Sequence, residues 1–325
     1  MKDLVVLWDR FFFAKVDGRP LAVFRIAFGA YLLIYYCQIK WILEMYFLKT
    51  GFAIHFAAKP EASFPNGLFV GLPYTSPVWF YVLYGATFVI VTLFTLGLGT
   101  RIVAILLWMV TCAWLGPIQV GSNSADNVVR VLTFLFMVAA TAGHANTRFS
   151  LDAWRVRQSL GSGDTLIPVW STRLFQVQLA LIYFFSGFHK LSSTDWYNGS
   201  ALHYVFFQTT WSRVDLSWTA SFPFATGLLT YGTLFYELVL FPALVWNRHT
   251  RIPIITLGIL LHLGIAMTMK VFVFGEIMLL FYLCFLTQEH YARLVGRWRS
   301  GVLMGVGCVR AWRSPAASAG GRQKG

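Results

Sequence analysis

The chain has 325 residues, of which 57% are hydrophobic, 18% aromatic and 12% charged, with a mean hydropathy of +0.63. Soluble domains carry about 25% charged residues, so this composition excludes an ordinary soluble enzyme and predicts a protein whose main solvent is lipid. The net charge of +13 would suit nucleic acid only on a soluble basic face, and the sequence offers none, so no nucleic-acid partner is expected.

In chain order, residues 1–20 read as a cytoplasmic N-terminal segment without the small-residue cleavage site of a removable signal. Apolar runs of membrane-helix length then occupy residues 21–38, 78–96, 102–120, 127–142, 174–188, 226–246, 252–269 and 271–285. The third run contains a helix-stopping Gly116-Pro117 pair. The last two lie too close for a comfortable loop and suggest a kinked hairpin. Residues 289–325 read as a basic, partly disordered cytoplasmic tail. The expected fold is all-α, a polytopic transmembrane helical bundle of about eight spans within residues 21–288.

Lysine and arginine set the orientation. With a cytoplasmic N-terminus and eight spans, eighteen of the 26 Lys and Arg fall on the cytoplasmic side and six outside, while Arg25 and Arg130 lie within spans. This is the positive-inside bias, and it places both termini in the cytoplasm. It also puts Lys190 at the outer face and makes residues 39–77 and 189–225 the long outer segments. The four cysteines, Cys37, Cys112, Cys284 and Cys308, include no CxxC, so neither a disulfide framework nor a metal site is expected.

Ionisable side chains within spans are costly and face a bundle interior or a cavity by default. Arg25 stands about one turn into the first run and is expected to snorkel to the cytoplasmic interface. Asp126 and Arg130 have the i, i+4 spacing of an intrahelical structural pair. Glu237 and His262, near the middles of neighbouring runs, are placed to bond across helices. Glu276 lies in the last run. Lys190, ending IYFFSGFHK, admits two readings. One is an interfacial anchor. The other is a base: a lysine in an apolar pocket loses preference for its charged form, and His189 would add a like charge. The base reading requires that no carboxylate hold the ammonium, and Asp195 is the nearby acid that would do so. Walker, GxSxG, HExxH and haem CxxCH signatures are absent.

The stretch RLFQVQLALIYFFSGFHKLSSTDWYNGSALHY (173–204) resembles the vitamin K-dependent gamma-carboxylases and their bacterial relatives, which share the HTTM, or horizontally transferred transmembrane, domain. RPLAVFRIAFG (19–29), TLFTLGLGTR (92–101), RFSLDAW (148–154), FYELVLFPALVW (235–246) and LLHLGIAM (260–267) fit in the same order. The resemblance spans about residues 20–288 and is most specific around Lys190. It implies that Lys190 is a catalytic base deprotonating a reduced quinone. It also matches Trp196 and Gly199 to a W-x-x-G motif and His262 to a family histidine. The carboxylases carry a large lumenal domain after the membrane part, whereas residues 289–325 here are expected to form only a tail.

The resulting expectation is a bacterial inner-membrane protein that binds a quinol-like lipophilic ligand in an outward-facing pocket. Lys190 would be its base, His189, Glu237 and His262 would orient the ligand, and Trp196 would wall the pocket. If an enzyme, it would be a carboxylase-like lyase using a reduced quinone and no metal. The alternative is a non-enzymatic membrane partner for a secreted peptide or protein, like the factor that matures a sporulation-delaying toxin, binding through residues 39–77 and 189–225.

Overall fold

The computed structural model describes residues 2–49, 76–116, 118, 123–144, 149–160, 166–208, 210, 212–271, 273–287 and 289–290. Helix α1 (Lys2–Phe13) precedes a short strand, β1 (Lys15–Asp17). Helix α2 (Arg19–Glu44) begins with Pro20 in its first turn, where a missing N–H costs nothing, and runs on into a π-helical turn at Met45–Lys49. Helices α3 (Pro77–Leu96) and α4 (Thr100–Leu115) are separated by Gly97 and Gly99, both left-handed, with φ of 69° and 60°. Helix α5 (Ser124–Thr141) opens with a capping box between Asn123 and Asp126. Helix α6 (Leu151–Leu160) leads to β2 (Leu166–Pro168) and then α7 (Trp170–Lys190).

The antiparallel ladder Lys15↔Pro168, Val16↔Ile167 and Asp17↔Leu166 sets the starts of α2 and α7 side by side. We call this the sheet end of the bundle. Two short helices, α8 (Thr194–Tyr197) and α9 (Ala201–Phe207), follow α7 at the far end. Helix α10 starts at Pro223, passes through a π-helical turn at Tyr236–Leu240 and ends at Leu244. Pro242 explains that turn: it has no N–H to return to the carbonyl of Leu238, and its ring would crowd that carbonyl in a regular helix. Helix α11 (Arg251–Thr268) and α12 (Phe274–Phe281), extended by a 3₁₀ turn to Phe285, form the expected hairpin. A side chain on Gly275 would meet Ala266, and Val273 at the bend has a positive φ of 51°.

Each expected apolar run thus holds a helix, and among the described residues the bundle is all-α apart from the two-stranded ladder and an isolated bridge between Ser212 and Met269. Among the described residues, five helices are long and apolar enough to cross a membrane, and Thr100–Leu115 and Phe274–Phe285 are shorter apolar helices. The third run stops at Leu115, ahead of Gly116-Pro117, and not at residue 120. Residues 286–325 form a unit distinct from Met1–Phe285. The expected disordered tail and most of outer segment 39–77 lie outside the described residues.

Helix α2 is the axis of the core. Phe24 and Phe28 on α2 pack with Phe94, Phe136 and Phe175, with Phe136 at the centre, 4.7 Å from Phe175 and 5.1 Å from Phe24 between ring centroids. Where an aliphatic bilayer offers no hydrophobic gain for burial, this close packing is what associates the helices.

One turn further back, Arg25 departs from expectation. It does not snorkel: it is 0% exposed, donating from Nη1 to the Phe94 carbonyl at 3.1 Å and from Nη2 to the Phe149 carbonyl at 2.7 Å. Gly97 lies against the guanidinium so closely that a Cβ would collide with it. Asp152 joins the same knot, accepting from the amides of Gly99 and Thr100 and capping α4. Asp126 and Arg130 do act on one another electrostatically, as expected of the pair, but each also bonds to other groups. Asp126 accepts from the Tyr35 hydroxyl at 2.5 Å and from the Asn123 amide at 2.8 Å, while Arg130 donates to Asn127 at 2.6 Å. A first-turn carboxylate is better placed to close the cap than to reach forward along the helix. Glu276, in the first turn of α12, is exposed.

Candidate functional site

Helices α7 and α10 run antiparallel: Arg173 lies by Trp246 at the sheet end, and Gly187 by Leu238 further along. Side chains lean toward the N-terminus of their own helix. Lys190 therefore leans back into the bundle and Glu237 leans out toward it. They meet, with Lys190 Nζ 2.5 Å from both Glu237 carboxylate oxygens. Nζ also donates to Ser186 Oγ at 3.0 Å and lies 5.0 Å from the centre of the Trp196 ring. The Lys190 side chain is 24% exposed and that of Glu237 8%. Gly187 permits this approach, since a Cβ there would stand 2.8 Å from Leu238.

The W-x-x-G spacing has a mechanical reason. Gly199 has φ of 80°, and a Cβ would stand 2.7 Å from the Tyr231 ring. The Tyr231 hydroxyl donates to the Tyr197 carbonyl. This close seating of α8 on α10 holds Trp196 over the lysine.

A second polar group lies on the same face of α7. The Tyr183 hydroxyl is 2.7 Å from His262 Nε2 and makes a short hydrogen bond with the Tyr282 hydroxyl. Tyr282 lies 3.5 Å from the Tyr236 hydroxyl, which donates to the Ile254 carbonyl at 3.0 Å. That carbonyl can only accept, so the proton of Tyr236 is committed and Tyr236 can receive one from Tyr282. Gly258 leaves room for the two hydroxyls, which a Cβ would strike. His262 is 3% exposed, and its Nδ1 has no hydrogen-bond partner among the described residues.

Two expected pairings are corrected. Glu237 does not bond His262; the carboxylate goes to Lys190, and Tyr183 occupies the imidazole. The carboxylate that holds Lys190 is Glu237, not Asp195, which is exposed. His189 is exposed too, one position off the stripe that carries Lys190, and its carbonyl accepts from Ser192. Sequence reading missed Tyr183, Ser186, Tyr236 and Tyr282. A signal existed for α7: Arg173, Gln176, Ala180, Tyr183, Gly187 and Lys190 recur at intervals of three and four, tracing one largely polar stripe along an otherwise apolar helix.

The HTTM domain matches residues 13–290. The chain belongs to the HTTM domain family. It is also similar to the uncharacterized protein YitO of Bacillus subtilis (strain 168), 26% identical over 200 residues, covering 58% of this chain and 61% of the relative. The chain thus matches about three-fifths of that curated relative's length. No solved structure matches. In this HTTM domain the quoted sequence pieces sort into two places. RPLAVFRIAFG, TLFTLGLGTR and residues 149–154 of RFSLDAW meet at the Arg25 knot. The pieces around Lys190, Glu237 and His262 build the polar site of α7, α10 and α11.

Tyr183→Phe is expected to lower stability by about 1–3 kcal/mol, because it leaves His262 buried with neither nitrogen bonded. Thermal unfolding in detergent measures this, with the exposed Tyr204→Phe as control. Equal stability in the two variants would show that the hydroxyl chain is incidental.

Proposed function

We propose that this chain is a membrane-embedded acid–base protein acting on a quinol-like lipophilic ligand, with Lys190 and Glu237 as its working pair. The observation that carries the reading is the Lys190–Glu237 contact: an amine and a carboxylate at 2.5 Å, partly desolvated, with the amine still partly open. The paired carboxylate stands within hydrogen-bond reach of the amine, so a proton leaving Lys190 Nζ has Glu237 as its acceptor. Lys190 passes a proton to the Glu237 carboxylate and takes one from a hydroxyl presented beside Trp196. The proton ends on Glu237, and the ammonium faces the new oxyanion.

The residues suit a reduced quinone. Trp196 offers a ring face, Lys190 an amine open on one side, and His262 Nδ1 an orphaned polar atom deeper in the bundle. When bound, a quinol would supply an acidic hydroxyl and a redox-active ring. Carboxylase-like chemistry and the bacterial inner membrane are part of this reading by family resemblance. The 18-to-6 division of Lys and Arg supports cytoplasmic termini, with Lys190 nearer the outer face.

Lys190→Arg tests it. Arginine keeps a cation for Glu237 but does not deprotonate. In liposomes supplied with a reduced naphthoquinone as probe, the wild type should retain the probe and speed its oxidation by dioxygen. The variant should retain the probe and lose about 10²-fold or more of that acceleration. Equal rates would end the catalytic reading. Failure of both proteins to retain the probe, with co-purification of a secreted peptide encoded nearby, would favour the partner role.

A further inference from the structure

Helix α1 has one apolar face, and that face is seated at only one end. At 3.6 residues per turn, Leu4, Val5, Leu7, Trp8, Phe11 and Phe12 fall on one side of the helix and Asp3, Asp9 and Arg10 on the other. The last turn rests on the bundle. Arg173 of α7 donates from Nε to the Phe11 carbonyl at 3.2 Å, and its guanidinium lies 4.3 Å from the centre of the Phe11 ring. That ring lies 5.5 Å from the ring of Trp246, just past the end of α10. The Val169 amide donates to the Ala14 carbonyl and ties the residue after α1 to the start of α7.

The earlier turns are bare. Leu4 is 70% exposed, Leu7 62% and Trp8 63%, although they share the face that Phe11 turns to the bundle. A helix held by one end of a face and bare along the rest overhangs the edge of what it rests on. The seat is at the sheet end, where α2 and α7 begin, the level at which membrane-spanning helices leave the bilayer. Beyond the bundle's edge at that level lies the boundary between acyl chains and headgroups, and tryptophan is a residue that suits it. The charges bear on the occupant too. Lys2 and Arg10 balance Asp3 and Asp9, so α1 has no ionic claim on a charged partner, and the bare face is recognised by apolar contact.

We infer that α1 is an interfacial helix. It lies along the leaflet at the sheet end, with Leu4, Leu7 and Trp8 among acyl chains and Asp9 and Arg10 toward water. The occupant of the bare face is the bilayer itself, zwitterionic or anionic alike. The contact is independent of any proton transfer at Lys190, which lies at the opposite end of α7.

The test uses the full-length protein in liposomes of alkyne-tailed phosphatidylcholine, with photoreactive benzoylphenylalanine in place of Trp8 or, as the opposite-face control, of Asp9. Both positions are exposed, so neither replacement disturbs the packing of the bundle. On illumination, position 8 should form lipid adducts in a yield at least about fivefold that of position 9. Exchanging the lipid for alkyne-tailed phosphatidylglycerol should change the yield at position 8 by less than about twofold, because no net charge draws the helix down. Equal lipid yields at the two positions would overturn the inference. So would a product at position 8 that is chiefly a crosslinked dimer or a crosslink to residues 286–325, or a lipid yield that appears only with phosphatidylglycerol.

Discussion

Lys190→Met is expected to destabilise the protein more than Glu237→Gln, and the double variant to recover most of the loss. Removing one member of a buried ion pair typically costs about 3–5 kcal/mol, because the remaining charge is stranded. The two positions are not equally buried. An orphaned Lys190, 24% exposed, can turn its ammonium toward the polar end of the bundle, whereas an orphaned Glu237, 8% exposed, cannot. The expected losses are therefore about 3 kcal/mol for Lys190→Met and about half that for Glu237→Gln. Replacing both leaves no stranded charge, so the coupling between the substitutions should reach about 1–3 kcal/mol. Thermal unfolding of the four proteins in one detergent gives the cycle. Additive losses would mean that the two groups do not hold one another, and the acid–base pair would lose its physical basis.

Arg25→Met is the second substitution with a large expected effect. It removes the guanidinium from the carbonyls of Phe94 and Phe149. Phe94 keeps the Gly97 amide as a donor, so the loss falls mainly on Phe149 and on the packing of the buried side chain, about 3 kcal/mol together. It also releases Phe149 from the bond that offsets its positive φ. For a domain of this size about 3 kcal/mol corresponds to a fall of roughly 6–12 °C in Tm. Arg25→Lys should rescue little, since one ammonium on a flexible stem does not bridge two carbonyls as a planar fork does. Methionine giving wild-type stability would show that the knot is held by its glycines and by Asp152 and not by the arginine.

The helices were legible because apolar runs and Gly or Pro stops are local signals. Gly97, Gly99, Pro77 and Pro223 mark boundaries in the sequence just where the backbone turns. The pairings were not legible. Lys190 and Glu237 are 47 residues apart, and nothing local distinguishes Glu237 from Asp195 as a partner. What decides it is the antiparallel register of α7 on α10, set by Gly187 and Leu238. Glu237 and His262 fell on neighbouring runs and looked like a pair, but Tyr183 stands at the imidazole. Arg25 misled for a related reason. Its depth in the helix suits snorkelling, and only the return of residues 149–152 to the sheet end gives it something to bond. The stripe on α7 could have been read from spacing alone, and it carries both halves of the site.

The Arg25 knot also has a consequence in time. Arg25 and Phe149 are separated by 124 residues, so at roughly 5–20 residues per second the arginine waits about 6–25 s for its carbonyl to be synthesised. Throughout that interval the first hydrophobic helix must be tolerated with an unmatched cation near one end. Burial follows only when residues 149–152 emerge and close over it. Closure of the knot, which conceals this charge in the finished fold, therefore waits on a segment made long after the helix that carries it.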